Sequence, residues 1–304
     1  MNFTRLTPAE YPRFKPYFAK QKYDLCAYSL ASIIAWTSEG FFQPLGAEKD
    51  GMFVICAEYY KNPGQRHMIL PVCLQDEPGP RDLAGLAREA GHDQYWFVPE
   101  DYIERSGRSL VETYFSITPQ PELNDYVYRA GDLANLAGNA YSKKRNLVRQ
   151  FERDHAGEGR VRLEPITPDV VPECCEFIDK WCKEHGCDYT VDDDLLCERR
   201  AAVNAMENLE ILEARGICLR LDGQISAFGV ASRVTDSMGA LHFEKAFASI
   251  KGLYQYFDRE CARRLFEGFS YINKESDMGV EGLAKAKDSY HPAKIIKSFK
   301  LTLL

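Results

Sequence analysis

The sequence lacks a long apolar run. Its most apolar stretch, Cys26–Trp36, contains two serines and is shorter than the roughly 20 apolar residues that a membrane-spanning helix needs. The opening residues, MNFTRLTPAEYPRF, also lack the apolar core of a secretory signal. We therefore expect a soluble, cytoplasmic protein with no transmembrane segment.

The sequence also has no excess of positive charge. Its 38 Lys and Arg residues stand against 45 Asp and Glu residues, which gives a net charge of −7. A protein that binds nucleic acid over a uniformly basic surface is therefore not expected, although a local basic patch is compatible with this balance. With 45% apolar and 27% charged residues, the 304-residue chain fits a globular protein of two domains or one large one.

Signatures of several enzyme classes are missing as well. The sequence has no Cys-x-x-Cys pair, so zinc is not expected, and it has no Gly-x-Ser-x-Gly, Walker or Gly-x-Gly-x-x-Gly motif. The ten cysteines lie in a long chain without an export signal, which favours reduced core thiols over disulfides. We expect no metal ion and no tightly bound cofactor.

The sequence does contain a regular alternation of strand and helix patterns. The first half is mixed α/β and ends at the proline-rich break Thr118–Pro121, and a basic helix is predicted over Ser142–Asp154. The second half follows the order β-α-α-β-β-β-α-β-α-β, with a hairpin turn at Asp222–Gly223. This is the element order of the GCN5-related acyltransferase (GNAT) fold, whose fourth and fifth strands separate around the acyl group of the donor. Those strands are predicted at Gly239–Phe247 and Phe269–Lys274.

Several segments of the chain resemble one family in particular. They are HFEKA at 242–246, KGLYQ at 251–255, YINKESDMG at 271–279, GLAKAKDSYHP at 282–292, YRAGDLA at 128–134 and KKRN at 143–146. These segments resemble the C-terminal domain of phosphatidylglycerol lysyltransferase and the soluble proteins grouped with it. The resemblance implies a mixed α/β protein with two GNAT-like domains in tandem, built on mixed sheets flanked by helices. It divides the chain into a degenerate domain over 1–120, a bridging strand and basic helix over 121–155, and a second domain over 156–304.

The same resemblance implies an acyl or aminoacyl transferase. The lipid enzymes of the family move an aminoacyl group from tRNA to a phospholipid hydroxyl, so the implied donor is aminoacyl-tRNA or acyl-CoA. Their membrane-spanning half has no counterpart in this sequence, and the acceptor stays open between an amine and a hydroxyl of a small molecule or a lipid. A CoA-dependent N-acetyltransferase and a non-catalytic binding module are the alternatives.

The segment after the fourth strand is the predicted donor site. Acetyl-CoA enzymes place a glycine-rich loop here, whose amides and helix dipole bind the pyrophosphate. This sequence keeps one glycine of that motif and adds a lysine, which makes Lys251, Gly252 and Leu253 the candidate contacts. An ordinary strand-to-helix turn explains the same residues.

The predicted basic helix carries more cations than anions. Lys143, Lys144 and Arg145 at its start are suited to bind phosphates of tRNA or of an anionic lipid head group. A solvated helix face is the alternative explanation of this charge run.

The ends of the fourth and fifth strands supply the candidate catalytic residues. Strict alternation along the fourth strand places Leu241 and Phe243 on one face and Glu244 on the other. Glu244 is predicted to orient an amine or to act as a general base, or else to form a structural ion pair. Asn273 is a third candidate, at the carboxyl end of the fifth strand. Many GNAT enzymes use a tyrosine from this region as an acid, so the resemblance implies that Tyr290, at the end of the last helix, protonates the leaving group near Glu244 and Asn273. Packing on the sheet is the structural alternative.

Further polar residues near these strand ends are predicted to bind substrate. They are Lys245, Asp277, Lys285 and Lys287. An edge position for Lys245 and a helix N-cap at Asp277 are the structural alternatives. In the predicted reaction the acceptor attacks the acyl carbonyl directly, and backbone amides hold the oxyanion.

Overall fold

The regular structure consists of two β-sheets and the helices that flank them. The computed structural model describes residues 1–38, 40, 42–157, 159–186 and 193–304, and the side chains of residues 193 and 194 lie outside this description. The strands are β1 Thr4–Arg5, β2 Phe42–Lys49, β3 Met52–Tyr59, β4 His67–Met68, β5 Val72–Cys73, β6 Gln94–Pro99, β7 Phe115–Pro119, β8 Asp125–Arg129, β9 Val161–Pro165, β10 Arg215–Leu221, β11 Gln224–Arg233, β12 Met238–Ala246, β13 Tyr271–Asn273, β14 Lys294–Ile296 and β15 Ser298–Leu303. The helices are α1 Tyr11–Phe18, α2 Leu30–Ala35, α3 Pro80–Ala90, α4 Glu100–Ser106, α5 Arg108–Glu112, α6 Ala130–Asn135, α7 Ser142–Asp154, α8 Val171–His185, α9 Asp193–Glu207, α10 Leu253–Arg264 and α11 Glu281–Asp288.

The two sheets repeat one pattern. Within the described residues the first sheet has eight strands, in the order β1-β2-β3-β4-β6-β15-β7 with β5 on β3, and the second has seven, in the order β14-β8-β13-β12-β11-β10-β9. In the described strands the parallel pairs are β4 with β6 and β12 with β13. In each sheet three antiparallel neighbours precede a helix and the parallel strand. This repetition confirms the predicted class, a mixed α/β protein with two GNAT-like mixed sheets flanked by helices.

Each sheet also holds one strand from the other half of the chain. The last strand, β15, lies between β6 and β7 of the first sheet, and β8 lies between β13 and β14 of the second. Sheet membership therefore departs from the ranges 1–120, 121–155 and 156–304 at these two strands, and the ranges themselves stay a prediction. The predicted order ends on a single strand, but the chain forms β14 in one sheet and β15 in the other.

The second sheet is buried on both of its faces. Phe151 of α7 and Phe257 of α10 pack on one face, and Phe177 of α8 packs on the other. The short helix α2 contacts α9 and β11, so the first half of the chain closes part of that second face. Both layers are needed because the strands of this sheet are apolar on each side.

The cysteines follow the expectation of reduced thiols where the structure describes them. Nine of the ten lie in the described residues; all nine are free thiols, and Cys56, Cys174, Cys182, Cys218 and Cys261 are buried. Cys187 lies outside the described residues.

The parallel strands β12 and β13 form a fork. They pair only from Met238 with Tyr271 to Ala240 with Asn273, after which β12 continues to Ala246 without a partner on that side. This separation is the feature that the GNAT resemblance implied for the fourth and fifth strands.

A bulge at His242 corrects the predicted alternation along β12. The register with β11 shifts between Val230, which pairs with Phe243, and Ala231, which pairs with Leu241, so His242 is the extra residue. As a result Leu241 packs in the core beneath α10, whereas Phe243 packs in the core beneath α8 and α9. Strict alternation had placed these two residues on one face.

Helix α11 has no buried apolar face. Leu283 is 40% exposed, and none of the eight residues of α11 is buried. Polar contacts hold this helix instead. Lys287 donates hydrogen bonds to the carbonyls of Lys274, Glu275 and Ser276 at 2.5, 3.0 and 2.6 Å.

Candidate functional site

Side chains from both strands fill the fork where β12 and β13 separate. Lys274, the residue after β13, places its ammonium 2.8 Å from Glu244 Oε2 and 2.7 Å from Asp258 Oδ1. Glu244 lies on the unpaired part of β12, and Asp258 lies on the buried face of α10. The three side chains are at most 15% exposed. Two carboxylates and one ammonium therefore meet at the predicted reaction site.

This arrangement brings the pKa of Glu244 close to neutral pH. Burial and the nearby Asp258 raise the pKa of Glu244 to about 7, against the opposing effect of Lys274. Burial alone would lower the pKa of Lys274, but the two carboxylates hold it well above its usual value. Glu244 Oε1 is buried and has no hydrogen-bond partner, although Oε2 is paired. Glu244 can therefore take a proton from, or bind, a group that enters the fork.

Tyr290 reaches the same cluster from the end of α11. Its ring centroid lies 3.9 Å from Lys144 Nζ and 5.5 Å from Lys274 Nζ. Burial and the charge of Asp258 raise the pKa of Tyr290 well above its usual value. The structure thus brings Tyr290 and Glu244 together around one ammonium.

Asn273 faces the opposite side of the strand. It is fully buried, its Nδ2 donates to Asp125 Oδ2 at 2.7 Å, and its Oδ1 accepts the Glu275 amide at 2.7 Å. Adjacent residues of a strand point to opposite faces, so a position next to Lys274 takes Asn273 away from the cluster. The structure therefore separates Asn273 from Glu244 and Tyr290.

A continuous hydrogen-bond chain crosses that opposite face. His242 Nδ1 lies 2.8 Å from Glu275 Oε1, His242 Nε2 lies 2.7 Å from Ser232 Oγ, and Ser232 Oγ lies 2.7 Å from Ser29 Oγ. The Glu275 carboxylate accepts from His242 Nδ1, and the chain continues from Nε2 to the two serine hydroxyls. Ser29 Oγ also accepts the Ser32 amide and so caps α2. The chain ties the first half of the protein to the fork.

The predicted donor loop is occupied by other parts of the protein. The amides of Ala248 and Ser249 each donate to the Glu184 carboxylate at 3.0 Å. A Cβ on Gly252, whose φ is +83°, would lie 2.2 Å from the Leu147 carbonyl oxygen of α7. Gly252 therefore permits the close approach of α7. Of its neighbours, Lys251 is exposed and Leu253 is buried in the core.

The basic triplet at the start of α7 is divided between surface and interior. Lys143 is exposed. Lys144 lies over the Tyr290 ring and donates to Ser289 Oγ at 2.7 Å, and burial lowers its pKa. Arg145 turns back to bind the carbonyls of Leu136 and Gly138 beyond the end of α6. Only Lys143 of the three presents its charge on an exposed surface.

The other predicted substrate-binding residues also have partners within the chain. Lys245 pairs with Glu198 at 2.7 Å and lies over the Trp181 ring, on the face of α8 and α9. Lys285 pairs with Glu281 on the surface of α11. Lys287 is the lysine that holds the loop after β13.

Asp277 ties that same loop to the sheet. Its carboxylate accepts the Tyr126 hydroxyl at 2.6 Å and the Gly279 amide at 2.8 Å. The N-cap alternative for Asp277 was wrong, because α11 begins after Val280 and has no side-chain capping bond.

Lys274 and Asp258 are the residues that sequence reasoning missed. A signal for Asp258 existed, because it lies four residues after Tyr254 and three before Cys261, on the inward face of α10. An acidic residue in that position needs a buried cation. Lys274 had no comparable signal, since a lysine that ends a strand usually reaches solvent.

Neither a metal-binding group nor a membrane-spanning helix occurs in the described residues. Within the described ranges, no group of three or more His, Cys, Asp and Glu side chains is arranged to hold a metal ion. No helix in the part of the chain that the structure describes is both long and apolar enough to cross a bilayer.

Two solved structures are similar to this chain over nearly its whole length. A conserved protein of unknown function from Bacteroides thetaiotaomicron is 28% identical, with a TM-score of 0.87 and 100% of each chain covered. The C-terminal domain of a putative lysylphosphatidylglycerol synthetase from Agrobacterium fabrum is 14% identical, with a TM-score of 0.64, and the match covers 97% of this chain and 92% of that one. At this identity the second match shows a shared fold.

The family comparison agrees with the segments quoted from the sequence. No curated protein matches the chain significantly. The model of the family described as phosphatidylglycerol lysyltransferase, C-terminal, matches residues 23–301. The chain therefore belongs to the phosphatidylglycerol lysyltransferase C-terminal family, as its sequence segments indicated.

Proposed function

We propose that this protein transfers an aminoacyl group from an ester donor to an amine or hydroxyl acceptor, at the fork between β12 and β13. The observation that carries the proposal is Glu244. Its Oε1 atom is buried without a partner, and its pKa of about 7 suits a general base at neutral pH. A buried polar atom without a partner is costly, and such atoms concentrate at functional sites.

The proposed reaction is a direct displacement. The nucleophilic atom of the acceptor attacks the acyl carbonyl carbon while its proton passes to Glu244. The carbonyl carbon then releases the donor oxygen, which takes up a proton as it leaves. Amides on the unpaired edge of β12 are the candidates for holding the oxyanion, because β13 no longer pairs with that edge after Ala240.

The contacts beside α10 favour aminoacyl-tRNA over acyl-CoA as the donor. Glu184 occupies the amides of Ala248 and Ser249, where a CoA pyrophosphate would need open donors, and α7 packs directly on Gly252. The exposed cations Lys143 and Arg149 of α7 are available for phosphates of tRNA or of a lipid head group. A tRNA donor would place the reaction in the cytoplasm.

The test is a transfer assay with labelled donors. Lysyl-tRNA, alanyl-tRNA and acetyl-CoA are each offered with phosphatidylglycerol vesicles, a polyamine or hydroxylamine as acceptor. We expect transfer from an aminoacyl-tRNA, and we expect Glu244→Gln to lower kcat by about 10²–10⁴-fold. Glu281→Gln is the matched control, because its carboxylate is 81% exposed and pairs only at the surface with Lys285.

Three outcomes would count against the proposal. Transfer from acetyl-CoA alone would favour a CoA-dependent N-acetyltransferase. Binding of a donor without any transfer would favour a non-catalytic module. An unchanged rate in the Glu244→Gln variant would remove Glu244 from the mechanism.

A further inference from the structure

The first sheet contains a fork like that of the second, but a tyrosine closes it. Its parallel strands β4 and β6 pair only between Met68 and Tyr95. The buried hydroxyl of Tyr28 then bridges the two strands, because it donates to the Phe97 carbonyl at 3.1 Å and accepts the Leu70 amide at 3.3 Å. The contribution of the first half of the chain is therefore to be sought on its surface.

A row of aromatic rings crosses four neighbouring strands of the first sheet. The Phe42 ring on β2 lies 4.9 Å from the Tyr59 ring on β3, which lies 5.9 Å from the His67 ring on β4. His67 stacks on Trp96 of β6, with 4.4 Å between the ring centroids and 5° between the ring planes. Neighbouring strands are about 4.8 Å apart, so the row is roughly 14 Å long. We call these four rings the aromatic row.

The aromatic row lies outside the hydrophobic cores. Phe42, Tyr59 and Trp96 are half-buried, and among the described residues none of them packs against a core cluster. His67 lies beneath Trp96, and burial lowers its pKa to about 4, so its ring is uncharged at neutral pH. A contiguous group of half-exposed rings that fills no core indicates a binding surface.

The backbone is strained at the Trp96 end of the row. Trp96 and Phe97 together oppose the single residue Lys300 of β15, and Phe97 has a φ of +55°. Neighbouring residues of a regular strand point to opposite faces, yet these two rings lie 4.4 and 5.8 Å from the His67 ring. Gln120 Oε1 accepts the Phe97 amide at 3.2 Å and holds this bulge. Bulges that re-aim side chains, and strained non-glycine residues, concentrate at functional sites.

The same end of the row adjoins a cationic groove. The Trp96 indole N–H donates to Gln94 Oε1 at 2.9 Å, and Gln94 lines a groove of about 440 Å³ together with Arg66 and Arg88. Arg88 is exposed, and the Arg66 side chain is 41% exposed although it pairs with Glu58. Two guanidinium groups therefore lie where a chain that follows the row would enter it.

The opposite end of the row leads toward the fork of the second sheet. Phe42 pairs with Ser38, whose Oγ lies 3.2 Å from an Arg200 guanidinium nitrogen of α9. Two residues earlier on α9, Glu198 pairs at 2.7 Å with Lys245, on the unpaired part of β12. The row thus runs from two arginines to the helix that contacts the reaction strand.

We propose that the aromatic row binds unpaired bases of RNA and guides the single-stranded end of the donor tRNA to the fork. This inference rests on the proposed function, which supplies the tRNA donor. Bases stack on aromatic side chains whatever their sequence, and a row of this length suits two or three of them. Arg66 and Arg88 would bind the phosphates that link these bases.

The experiment measures binding of a labelled single-stranded RNA that ends in CCA, with a blunt duplex RNA for comparison. We expect the single strand to bind at least about tenfold more tightly than the duplex, and Trp96→Leu to raise its Kd by about 5–100-fold. Trp96→Phe keeps a ring and should raise the Kd by less than about fivefold. Tyr114→Leu is the matched control, because Tyr114 is half-buried beside β7, at the far edge of the same sheet.

Two further measurements separate stacking from charge. Each phosphate contact on a single strand contributes about −0.7 to the slope of log affinity against log salt, so Arg88→Gln should flatten the slope by about that amount. In the transfer assay Trp96→Leu should raise KM for aminoacyl-tRNA by about 5–100-fold and lower kcat by less than about threefold, because the row holds the donor away from the bond that reacts.

The two proposals fail in different ways. An unchanged Kd in folded Trp96→Leu, or equal affinity for single strand and duplex, would overturn the role of the aromatic row, while Glu244→Gln still reports on transfer. Binding of the single strand through Trp96 without any transfer would overturn the proposed function alone. If Trp96→Leu does not fold, Tyr59→Leu in the middle of the row gives the same comparison, and an unchanged Kd there has the same meaning.

Discussion

On each face of the fork a side-chain contact joins the two strands. The two faces differ in whether every buried polar group on them has a hydrogen-bond partner. On one face Lys274 joins Glu244 across the gap, and on the other Glu275 joins His242. The His242 face continues through Ser232 to the first half of the chain, and each group in it has a partner. The Glu244 face leaves Oε1 of that carboxylate buried and unpaired.

This difference distinguishes polar groups that stabilise the fold from polar groups that are available for a reaction. A fully paired buried network fixes the packing of the elements that it joins. A buried carboxylate that is left half-paired weakens the fold unless a ligand or a reacting group completes it. We therefore expect changes on the His242 face to lower stability, and changes on the Glu244 face to lower turnover.

The pH dependence of transfer gives the largest expected effect. Glu244 acts as a base only when it is deprotonated, and its pKa is about 7, so kcat should rise with pH and level off above about pH 8. Below pH 6 the rate should fall about tenfold per pH unit. Glu244→Gln should remove this acidic limb along with most of the rate, whereas the surface variant Glu281→Gln should keep it. An acidic limb that survives in Glu244→Gln would assign the titration to another group.

The close contact at Gly252 should give the next largest effect. Gly252→Ala places a Cβ 2.2 Å from the Leu147 carbonyl oxygen in a backbone of φ +83°, so α7 must move. We expect a loss of roughly 2–5 kcal/mol in unfolding free energy, from strain and overlap together. Gly91→Ala is the control, since Gly91 has φ +72° but nothing near its Cβ position, and it should cost only about 1–3 kcal/mol. Urea unfolding measures both, and equal losses would mean that α7 adapts.

Local patterns predicted the elements better than their assembly. The helix over Ser142–Asp154 and the hairpin at Asp222–Gly223 were confirmed, because periodicity and turn chemistry are local. The exchange of β8 and β15 between sheets depends on contacts far apart in sequence, and a strand pattern carries no information on which sheet it joins. The bulge at His242 likewise depends on the register with β11.

In the candidate site, too, the features set by local sequence were predicted and those set by tertiary contacts were not. Glu244 and Tyr290 were predicted to lie near each other and do meet around Lys274, because both follow from the position of the fork in the fold. Asn273 was grouped with them, but it faces Asp125 on the other side. Strand ends can be located from sequence, whereas the direction of each side chain at the point where two strands separate is set by tertiary contacts.

Removing the Ser232 hydroxyl tests whether the hydrogen-bond chain on the His242 face stabilises the fold. Ser232→Ala leaves His242 Nε2 without its partner and leaves the Ser29 hydroxyl with only the Ser32 amide, and we expect it to lower the unfolding free energy by about 1–3 kcal/mol. Transfer by the folded variant should change by less than about threefold. Ser116→Ala on the exposed side of β7 is the control and should be within about 0.5 kcal/mol of the parent. A large loss of turnover with unchanged stability would move the His242 face into the chemistry.

Asp125 gives the smallest effect and the finest test of whether the His242 side of the fork is purely structural. Burial raises the pKa of Asp125 from 3.8 to about 6, against the opposing hydrogen bonds from Cys26 and Asn273. Because the folded pKa is raised, the stability linked to its protonation is complete below about pH 4 and is lost as the pH rises through 6. Linkage gives a loss of about 1–2 kcal/mol between pH 5 and pH 8 that Asp125→Asn should not show. Urea unfolding at the two pH values, with Asp236→Asn as an exposed control, measures the difference. If the parent and Asp125→Asn change equally with pH, the carboxylate is ionised throughout, and the network on this face carries a buried charge as the Glu244 face does.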